Sequence, residues 1–325
     1  MWLVAAAALV VSLAAWHHFD SFRGTKEGSS QGFHKPPGMP EILRMKEGDQ
    51  TRETQPTAKT SATDQSPETM GCMDLQNLHK DNPVVLGHRR KGRGFLTIGI
   101  TTVGRTNASY LRQTLSSLID NANDTERSQI TIVVFACDFK EQARQEARDI
   151  VSGFAEHVQS GLLLLIEAPR SFYPPLTNMK RTFNNKDERV LWRSKENIDN
   201  VFLFAYCAAM SDFYLQLDDD FSTVPGYVRT IRNFIAEHQA DHWVLLDISE
   251  LGTGKLFRDA DLLHVGRYLV QFYQEQPVDF LFSALMQLHN QKRHFVVNPH
   301  IFKHLGNISS LDLKNKAHQF KNAAG

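Results

Sequence analysis

Apolar runs alternate with amphipathic segments from residue 95 onward, and this alternation predicts an α/β fold. Residues 95–102, 130–136 and 161–166 form near-continuous apolar runs. Such runs are typical of strands that are buried on both faces of a parallel sheet. The segments between them, 109–119 and 139–158, carry apolar residues at helical spacing. Strand, helix, strand, helix, strand is the doubly wound pattern of nucleotide-binding units.

The second half of the chain predicts further elements of the same two kinds. We expect Ser109 to cap the first helix, and we interpret the Gly-rich loop at 251–255 as a tight turn. The further elements are a helix from 189 to 210, a strand at 213–217, a helix at 227–238, a strand at 243–248, helices at 262–273 and 278–288, and a last strand at 294–298.

Three consecutive carboxylates, Asp218, Asp219 and Asp220, follow the predicted strand at 213–217. Open α/β sheets bind their ligands at the carboxyl ends of the strands. Two like charges about 5 Å apart repel by roughly 3 kcal/mol at an effective dielectric constant of about 20, so a half-buried triplet needs a cation. A divalent metal that prefers oxygen ligands, such as Mn²⁺ or Mg²⁺, would remove this repulsion. A solvated acidic turn is the alternative.

The first residues are predicted to be a targeting segment rather than part of the fold. Residues 1–16 are apolar except for Ser12, and no Lys or Arg precedes the run. A membrane span needs about 20 residues, so a signal-anchor and a cleaved signal peptide both remain open. Either one directs the rest of the chain to the secretory lumen. Sequons at Asn107, Asn123 and Asn307 are compatible with N-glycosylation there.

Composition divides the chain into distinct parts. Residues 20–93 are rich in Gly, Pro, Thr, Gln, Lys and Glu with little apolar periodicity, which is typical of a disordered stem. Apolar residues at 84–86 could dock on the following domain, and the basic cluster at 88–93 is interpreted as a solvated linker. The predicted parts are a signal-anchor or signal peptide at 1–19, the stem at 20–93, a globular domain at 94–310 and a tail at 311–325.

Composition also excludes some functions. The formal net charge is zero and 42% of the residues are hydrophobic, so nothing indicates a nucleic-acid partner. The chain has 3 cysteines, too few for a disulfide scaffold, and we expect Cys137 and Cys207 to be buried free thiols. Neither a Gly-x-Gly-x-x-Gly motif nor a P-loop occurs, which argues against a dinucleotide site and a P-loop nucleotide site.

Further polar residues could belong to a site, each with an alternative role. Arg193 and Lys195 could bind a phosphate, or could form ion pairs with Asp187, Glu188 and Glu196. Asp279 opens the predicted helix at 278–288, where a carboxylate stabilises the positive end of the helix dipole. His304 could bind a metal or a phosphate, although a single His beside apolar residues is more often structural.

A set of short motifs occurs in a fixed order between residues 96 and 310. No single motif is specific, but the ordered set resembles a known family, the glycoprotein N-acetylglucosaminyltransferase IV enzymes. The motifs are Leu96-Thr97-Ile98-Gly99-Ile100-x-Thr102-Val103-x-Arg105, Ser109-Tyr110-Leu111, Tyr173-Pro174, Leu176-Thr177-Asn178, Glu188-Arg189-Val190-x-Trp192-Arg193-x-Lys195-x-Asn197-x-Asp199, Gln216-Leu217-Asp218-Asp219-Asp220, Gly254-Lys255, Phe272-Tyr273, Pro277-x-Asp279 and Phe302-x-His304-x-Gly306.

The resemblance implies a Golgi membrane protein of type II orientation whose lumenal catalytic domain has a GT-A-like nucleotide-sugar-binding fold with a mainly parallel central sheet. It implies inverting, metal-dependent transfer of GlcNAc from UDP-GlcNAc, in β1,4 linkage, to the α1,3-arm mannose of N-glycans on glycoprotein acceptors. The expected metal is Mn²⁺. Secretion after signal cleavage is the alternative location.

The resemblance also implies roles for individual residues. By looser similarity to other GlcNAc-transferases, Asp279 becomes the candidate general base, which takes the proton of the acceptor hydroxyl while the metal stabilises the leaving diphosphate. Asp220 is the expected metal ligand, with Asp218 and His304 as further candidates. Together with the reasoning above, the predicted UDP-sugar contacts are Thr101, Thr102, Val103, Arg105, Asp138, Arg193, Lys195, Asp218 and Asp219.

The chain departs from the family pattern at several positions. Asp218 replaces the usual Glu of the metal motif, Phe280 replaces the Trp that usually follows the Pro-x-Asp aspartate, and Val296 and Asn298 stand where the family has basic residues. We also expect the chain to lack the lectin-like β-domain that some members carry after the catalytic region. The alternative function is therefore a catalytically inactive member that binds and regulates another Golgi GlcNAc-transferase.

Overall fold

The computed structural model describes residues 75, 83–105, 109–249 and 254–306. The predicted targeting segment at 1–19, most of the predicted stem, the tail at 311–325 and the loop at 251–253 therefore lie outside the described residues. None of the helices formed by the described residues is long and apolar enough to span a bilayer.

A mixed, mainly parallel sheet forms the centre of the described fold. Its seven strands are β1 Val84–Leu86, β2 Gly94–Thr102, β3 Ile130–Ala136, β4 Leu163–Ile166, β5 Ser211–Asp218, β7 Leu246–Asp247 and β8 Lys255–Arg258, and a separate pair is formed by β6 Phe221–Thr223 and β9 Phe302–His304. The order in the sheet is β1-β4-β3-β2-β5-β8-β7, with β2 to β5 mutually parallel and β1, at one edge, antiparallel to β4. Strand β8 is antiparallel to both β5 and β7.

Helices cover both faces of the sheet, because the buried strands have apolar side chains on both sides. In β3, Ile132 and Val134 belong to one core cluster, whereas Val133 and Phe135 belong to the other. The helices are α1 Leu111–Asp120, α2 Asp124–Gln129, α3 Glu141–Ser152, α4 Ala155–Gln159, α5 Asp187–Cys207, α6 Tyr227–Glu237, α7 Leu262–Phe272 and α8 Val278–Leu288. The first cluster includes residues of α1, α3 and α6, and the second includes residues of α5, α7 and α8.

This architecture confirms the predicted α/β class, and it corrects several predicted elements. The single helix expected at 139–158 is two helices, because α3 ends at the cap residue Gly153 and the backbone turns at Phe154. Tyr110 rather than Ser109 precedes the first turn of α1, and no side chain caps that helix.

The predicted strands at 243–248 and 294–298 are mostly irregular. The backbone N–H groups of Val244 and Leu245 donate to the Gln291 side chain instead of to a neighbouring strand. Between the two segments, an isolated β-bridge pairs Asp247 with Val296. Within 243–248, which is buried, only Leu246–Asp247 pairs as a strand, with β8. The segment 294–298 is mostly exposed, with Val296 42% exposed, so in these two segments the strand prediction was right for Leu246–Asp247 alone.

The described end of the predicted stem is folded onto the sheet. Strand β1 pairs with β4, and the Arg90 guanidinium donates to the Ile130 carbonyl at 2.9 Å. Arg93 forms ion pairs with Asp212 at 2.9 Å and with Asp259 at 3.0 Å. The expected docking of 84–86 is therefore confirmed, whereas the basic cluster at 88–93 is not the solvated linker that the sequence indicates.

Candidate functional site

The register of three parallel strands brings the predicted site residues to one edge of the sheet. Thr101 in β2 is the partner of Asp218 in β5 on one side and of Phe135 in β3 on the other. Just beyond these pairs, the Cys137 amide donates to the Thr102 carbonyl at 3.1 Å. Asp138 and the acidic triplet 218–220 are therefore close together at the carboxyl edge, where open α/β sheets bind ligands.

Arg105 supplies positive charge to the acidic triplet. Its guanidinium lies 2.7 Å from an oxygen of Asp219 and 3.3 Å from Oδ2 of Asp220, and all three side chains are largely buried. The Thr102 hydroxyl donates to the other oxygen of Asp219 at 2.5 Å. The sequence predicts Arg105 as a UDP-sugar contact, but this geometry gives it a second role, because it offsets part of the repulsion that the triplet was expected to carry.

Asp220 keeps one oxygen available. Oδ1 is buried and accepts no hydrogen bond from the described residues. Oδ2 faces Nε2 of His304 at 3.2 Å, because the β6–β9 pair sets Phe221 opposite His304. A Cβ at Gly306 would lie 2.3 Å from Oδ2, so only glycine allows the chain to pass this close to the carboxylate. The structure thus brings His304 to the triplet, as the site prediction requires.

Asp218 lies in the most negative surroundings of the triplet. Burial raises its pKa to about 7, and the carboxylates of Asp220, Asp219 and Asp279 add to the rise, while Arg105 opposes it. The carboxyl group would be ionised more readily if a cation were present, because an opposite charge favours the charged form.

Asp138 accepts backbone hydrogen bonds on both carboxylate oxygens. The Gly104 amide donates to Oδ2 at 3.2 Å and the Lys140 amide donates to Oδ1 at 2.9 Å. These bonds fix the carboxylate between the end of β2 and the start of α3. Both are consistent with the predicted contact between Asp138 and the nucleotide, which stays a prediction.

The buried Lys195 ammonium group donates all its hydrogen bonds to groups inside the protein. It donates to the Cys137 carbonyl at 2.6 Å and to Asp199 at 2.7 and 2.9 Å, and the Tyr173 hydroxyl donates to Asp199 at 2.6 Å. Burial alone would lower the pKa of Lys195, but the Asp199 carboxylate raises it above the ordinary value. The structure therefore favours an ion pair over direct phosphate binding, but the partner is Asp199 and none of the predicted acids 187, 188 and 196.

Arg193 is also buried, and it fastens α5 to the segments around it. Its guanidinium donates to the Thr182 hydroxyl and to the Gln274 carbonyl, the latter at 3.3 Å. Nε and Nη1 have no hydrogen-bond partner among the described residues. Its predicted contact with a phosphate remains a prediction.

Asp279 lies in the first turn of α8. Asn197 of α5 positions this turn, because its amide group donates to the carbonyls of Tyr273 and Gln276, both at 2.8 Å. Solvent reaches the Asp279 side chain. The bulk of the surrounding protein still raises its pKa, the Lys255 ammonium opposes the rise, and the Asp247 carboxylate adds to it.

Several charged residues near the site were not predicted from the sequence. Asp247, at the end of β7, pairs with Lys255 and accepts a hydrogen bond from Nδ1 of His294 at 3.0 Å. Burial would raise the pKa of Asp247, but these two partners lower it overall. The pKa of Glu196 is raised well above its usual range by burial and by the charges of Asp218 and Asp279. An acid directly after a buried strand was the available signal for Asp247, as it was for Asp138.

The remaining predicted residues have mixed outcomes. Thr101 and Val103 are partly exposed at the carboxyl edge. Asn123 is exposed, and its side-chain oxygen caps α2 by accepting from the Glu126 amide at 2.9 Å. Asn107 and Asn307 lie outside the described residues. Glycosylation at all three sequons stays a prediction.

The chain matches the family model described as the MGAT4 conserved region over residues 61–323. The alpha-1,3-mannosyl-glycoprotein 4-beta-N-acetylglucosaminyltransferase C of Sus scrofa is 38% identical over 218 residues, which are 66% of this chain and 46% of the relative. The corresponding enzyme A of Mus musculus is 36% identical over 257 residues, 74% of this chain and 48% of the relative. The chain thus spans about half the length of the curated relatives it matches.

A third relative differs in the acceptor that its name specifies. The alpha-1,6-mannosyl-glycoprotein 4-beta-N-acetylglucosaminyltransferase of Gallus gallus is 38% identical over 66% of this chain and 47% of its own length. Among solved structures, S. aureus TarS in complex with UDP-GlcNAc is 14% identical, with a TM-score of 0.37, over 66% of this chain and 61% of that chain. The mannosyltransferase PcManGT of Pyrobaculum calidifontis, in complex with GDP-Man and Mn²⁺, is 10% identical with the same TM-score of 0.37, over 72% of this chain and 63% of that chain.

Proposed function

Because this chain belongs to the family described as the MGAT4 conserved region, we propose that it is an inverting GlcNAc-transferase that uses UDP-GlcNAc. The observation that carries the proposal is the strand register that brings Asp138 and the triplet 218–220 to one carboxyl edge of a parallel sheet. Asp279 adds to the raised pKa of Asp218. The names of the relatives support GlcNAc as the transferred sugar and a mannosyl glycoprotein as the acceptor. We assign the described fold to the GT-A-like class on the same grounds.

A divalent metal fits the acidic triplet in part. Within the described residues, no group of three or more His, Cys, Asp and Glu side chains is arranged to hold a metal ion. The buried, unpartnered oxygen of Asp220 nevertheless fits a hard cation, because a buried carboxylate oxygen requires a donor or a metal. Asp220 would hold the ion, with Asp218 and His304 as further donors, and Mn²⁺ is the proposed metal. Such an ion would neutralise the diphosphate of the leaving UDP.

Different side chains would bind the donor and accept the proton during the transfer. Asp138 and the end of β2 would hold the nucleotide. Asp279 would accept the proton of the acceptor hydroxyl as that oxygen forms its bond to the sugar C1, while the bond from C1 to the diphosphate oxygen breaks and UDP leaves. A raised pKa suits this role, since a general base works best when its pKa approaches the operating pH.

The acceptor and the location are further parts of the proposal. We propose β1,4 attachment to the α1,3-arm mannose of N-glycans, the arm that the names of the Sus scrofa and Mus musculus relatives specify. The α1,6 arm, specified by the name of the Gallus gallus relative, is the competing acceptor. We propose a Golgi membrane location with the catalytic domain in the lumen, and the apolar residues 1–16 support it.

The test is a transfer assay of the full chain with UDP-GlcNAc, Mn²⁺ and a biantennary N-glycan, read by mass spectrometry. We expect the wild type to add one GlcNAc. Asp279→Asn should lower turnover by roughly 10² to 10⁴, the usual contribution of general-base catalysis, and should leave UDP binding unchanged. Asp261→Asn makes the same change next to α7 and should behave like the wild type.

Two results would contradict parts of this proposal. Wild-type turnover that Asp279→Asn does not reduce would remove the base assignment. No turnover with either mannose arm, together with stable co-purification and altered activity of another Golgi GlcNAc-transferase, would replace the enzyme by the regulatory alternative.

A further inference from the structure

Two aromatic side chains are exposed beside the candidate base. The side chains of Phe183 and Phe280 are 57% and 41% exposed, and their rings stack at 5.8 Å between centroids with 15° between the planes. Phe280 directly follows Asp279 in the first turn of α8. Large aromatic side chains gain stability by burial, so an exposed pair indicates a surface that binds something.

The backbone that presents Phe183 is strained. Phe183 and Asn184 have positive φ angles of 56° and 50°. For a bulky residue such as Phe this left-handed conformation is an outlier, and outliers of this kind concentrate at ligand sites. The backbone strain is therefore a second indication, besides exposure, that the Phe183 ring is held in place to contact a ligand.

Specific contacts fasten this strained loop to the segment before α8. The Thr182 hydroxyl donates to the Glu275 carbonyl at 2.5 Å, and the Lys180 amide donates to the Gln274 side chain at 3.0 Å. Lys180 also pairs with Glu275 at 2.8 Å. The loop and the start of α8 thus hold the two rings together from both sides.

The size and surroundings of the pair decide what it can bind. Two rings are too small a patch for a stable protein interface, which buries more than about 1,000 Å². Charged residues of both signs, Lys180, Glu275, Arg181 and Asp187, lie in the adjoining segments, which disfavours a lipid surface. A pyranose ring has the matching chemistry, because its C–H groups form an apolar face while its hydroxyl groups stay in water.

We propose that Phe183 and Phe280 form a sugar-binding platform that holds a pyranose ring of the acceptor glycan next to Asp279. This inference rests on the proposed function for the identity of the glycan. The platform would act in acceptor binding and would leave the donor site untouched.

Kinetics on the full chain test the platform. Phe183→Ala and Phe280→Ala should raise the KM for the biantennary N-glycan about tenfold, the usual size of one aromatic contact, and should leave hydrolysis of UDP-GlcNAc unchanged. Phe280→Trp keeps an aromatic ring and should retain the wild-type KM. The matched control is Leu288→Ala, which removes an apolar side chain that is 71% exposed at the other end of α8, and it should have no effect.

A binding measurement keeps the inference testable if the wild type proves inactive. Saturation-transfer NMR with the same glycan and no donor should show contact of a sugar ring with the wild type and a loss of this contact in both Phe→Ala variants. Unchanged KM and unchanged NMR contact in both variants would overturn the platform, as would an equal loss of donor hydrolysis. Absent turnover with a platform-dependent NMR contact would reject the proposed enzyme and keep the platform.

Discussion

The carboxyl group of Asp218 links the electrostatics of the site to the stability of the protein. Its pKa is raised to about 7 by burial and by the neighbouring carboxylates Asp220, Asp219 and Asp279. An aspartate in an unfolded chain has a pKa of about 3.9. Between these two values the folded protein binds more protons than the unfolded chain, so Asp218 lowers the free energy of unfolding as the pH rises.

Replacement of Asp218 by Asn should therefore flatten part of the pH dependence of stability. In metal-free buffer, the wild type should lose stability relative to Asp218→Asn as the pH rises from about 4 to about 7. Urea unfolding across this range measures the difference, with Asp120→Asn at an exposed position as the control. A constant difference between wild type and Asp218→Asn over the whole range would show that the triplet does not raise the pKa of Asp218.

Sequence reasoning found the acids of the site more readily than their partners. The triplet and Asp138 were predictable because each follows a buried strand, and the carboxyl ends of parallel strands share an edge. The contacts of Arg105 with Asp219 and Asp220 and of Lys195 with Asp199 were not predicted. A long cationic side chain can reach several carboxylates, and only tertiary packing selects one.

Helix α5 carries a buried ion pair that connects the helix to the end of β3. Lys195 binds Asp199 one turn further along the helix and the carbonyl of Cys137, directly before Asp138. Removal of one partner of a buried pair leaves an uncompensated charge. The pair should therefore matter for both stability and the position of Asp138.

Lys195→Met should lower the free energy of unfolding by about 3–5 kcal/mol, the usual cost of breaking a buried pair. Arg181→Met, which breaks the exposed pair with Asp187, is the matched control and should cost far less, because solvent screens an exposed pair. Adding Asp199→Asn to Lys195→Met should recover part of the loss, since the unpaired carboxylate is then neutral. Urea unfolding that gives equal values for the two single variants would contradict a structural role for this pair.

At the element level, periodicity predicted most helices and strands but not their pairing. The helices α7 and α8 begin where the apolar pattern begins. The irregular segments around 243 and 294 were predicted as strands because they carry runs of apolar residues, although only the first segment is buried. A side chain, Gln291, takes the backbone hydrogen bonds that a strand would have made, and such a long-range contact leaves no local signal.

For the whole molecule, the order of strands was only partly predictable. The three parallel strands β2, β3 and β4 follow from their strand-helix-strand connections. The antiparallel directions of β1, at one edge, and of β8, between β5 and β7, do not follow, because no strand-helix-strand connection fixes them. The site nevertheless depends on β8, since Lys255 at its start pairs with Asp247 and opposes the rise in the pKa of Asp279.

We propose that the triplet at the carboxyl edge binds a nucleotide sugar together with a divalent metal. The most direct measurement is the melting temperature of the full chain with UDP and Mn²⁺, because a ligand at a hundredfold excess over its Kd stabilises the folded state by about 2.7 kcal/mol. This corresponds to a rise of roughly 5–10 °C for a domain of this size. We expect the rise in the wild type and in the exposed control Asp120→Ala, and no rise in Asp220→Ala. Equal melting of the wild type with and without UDP and Mn²⁺, or an equal rise in Asp220→Ala, would contradict the claim.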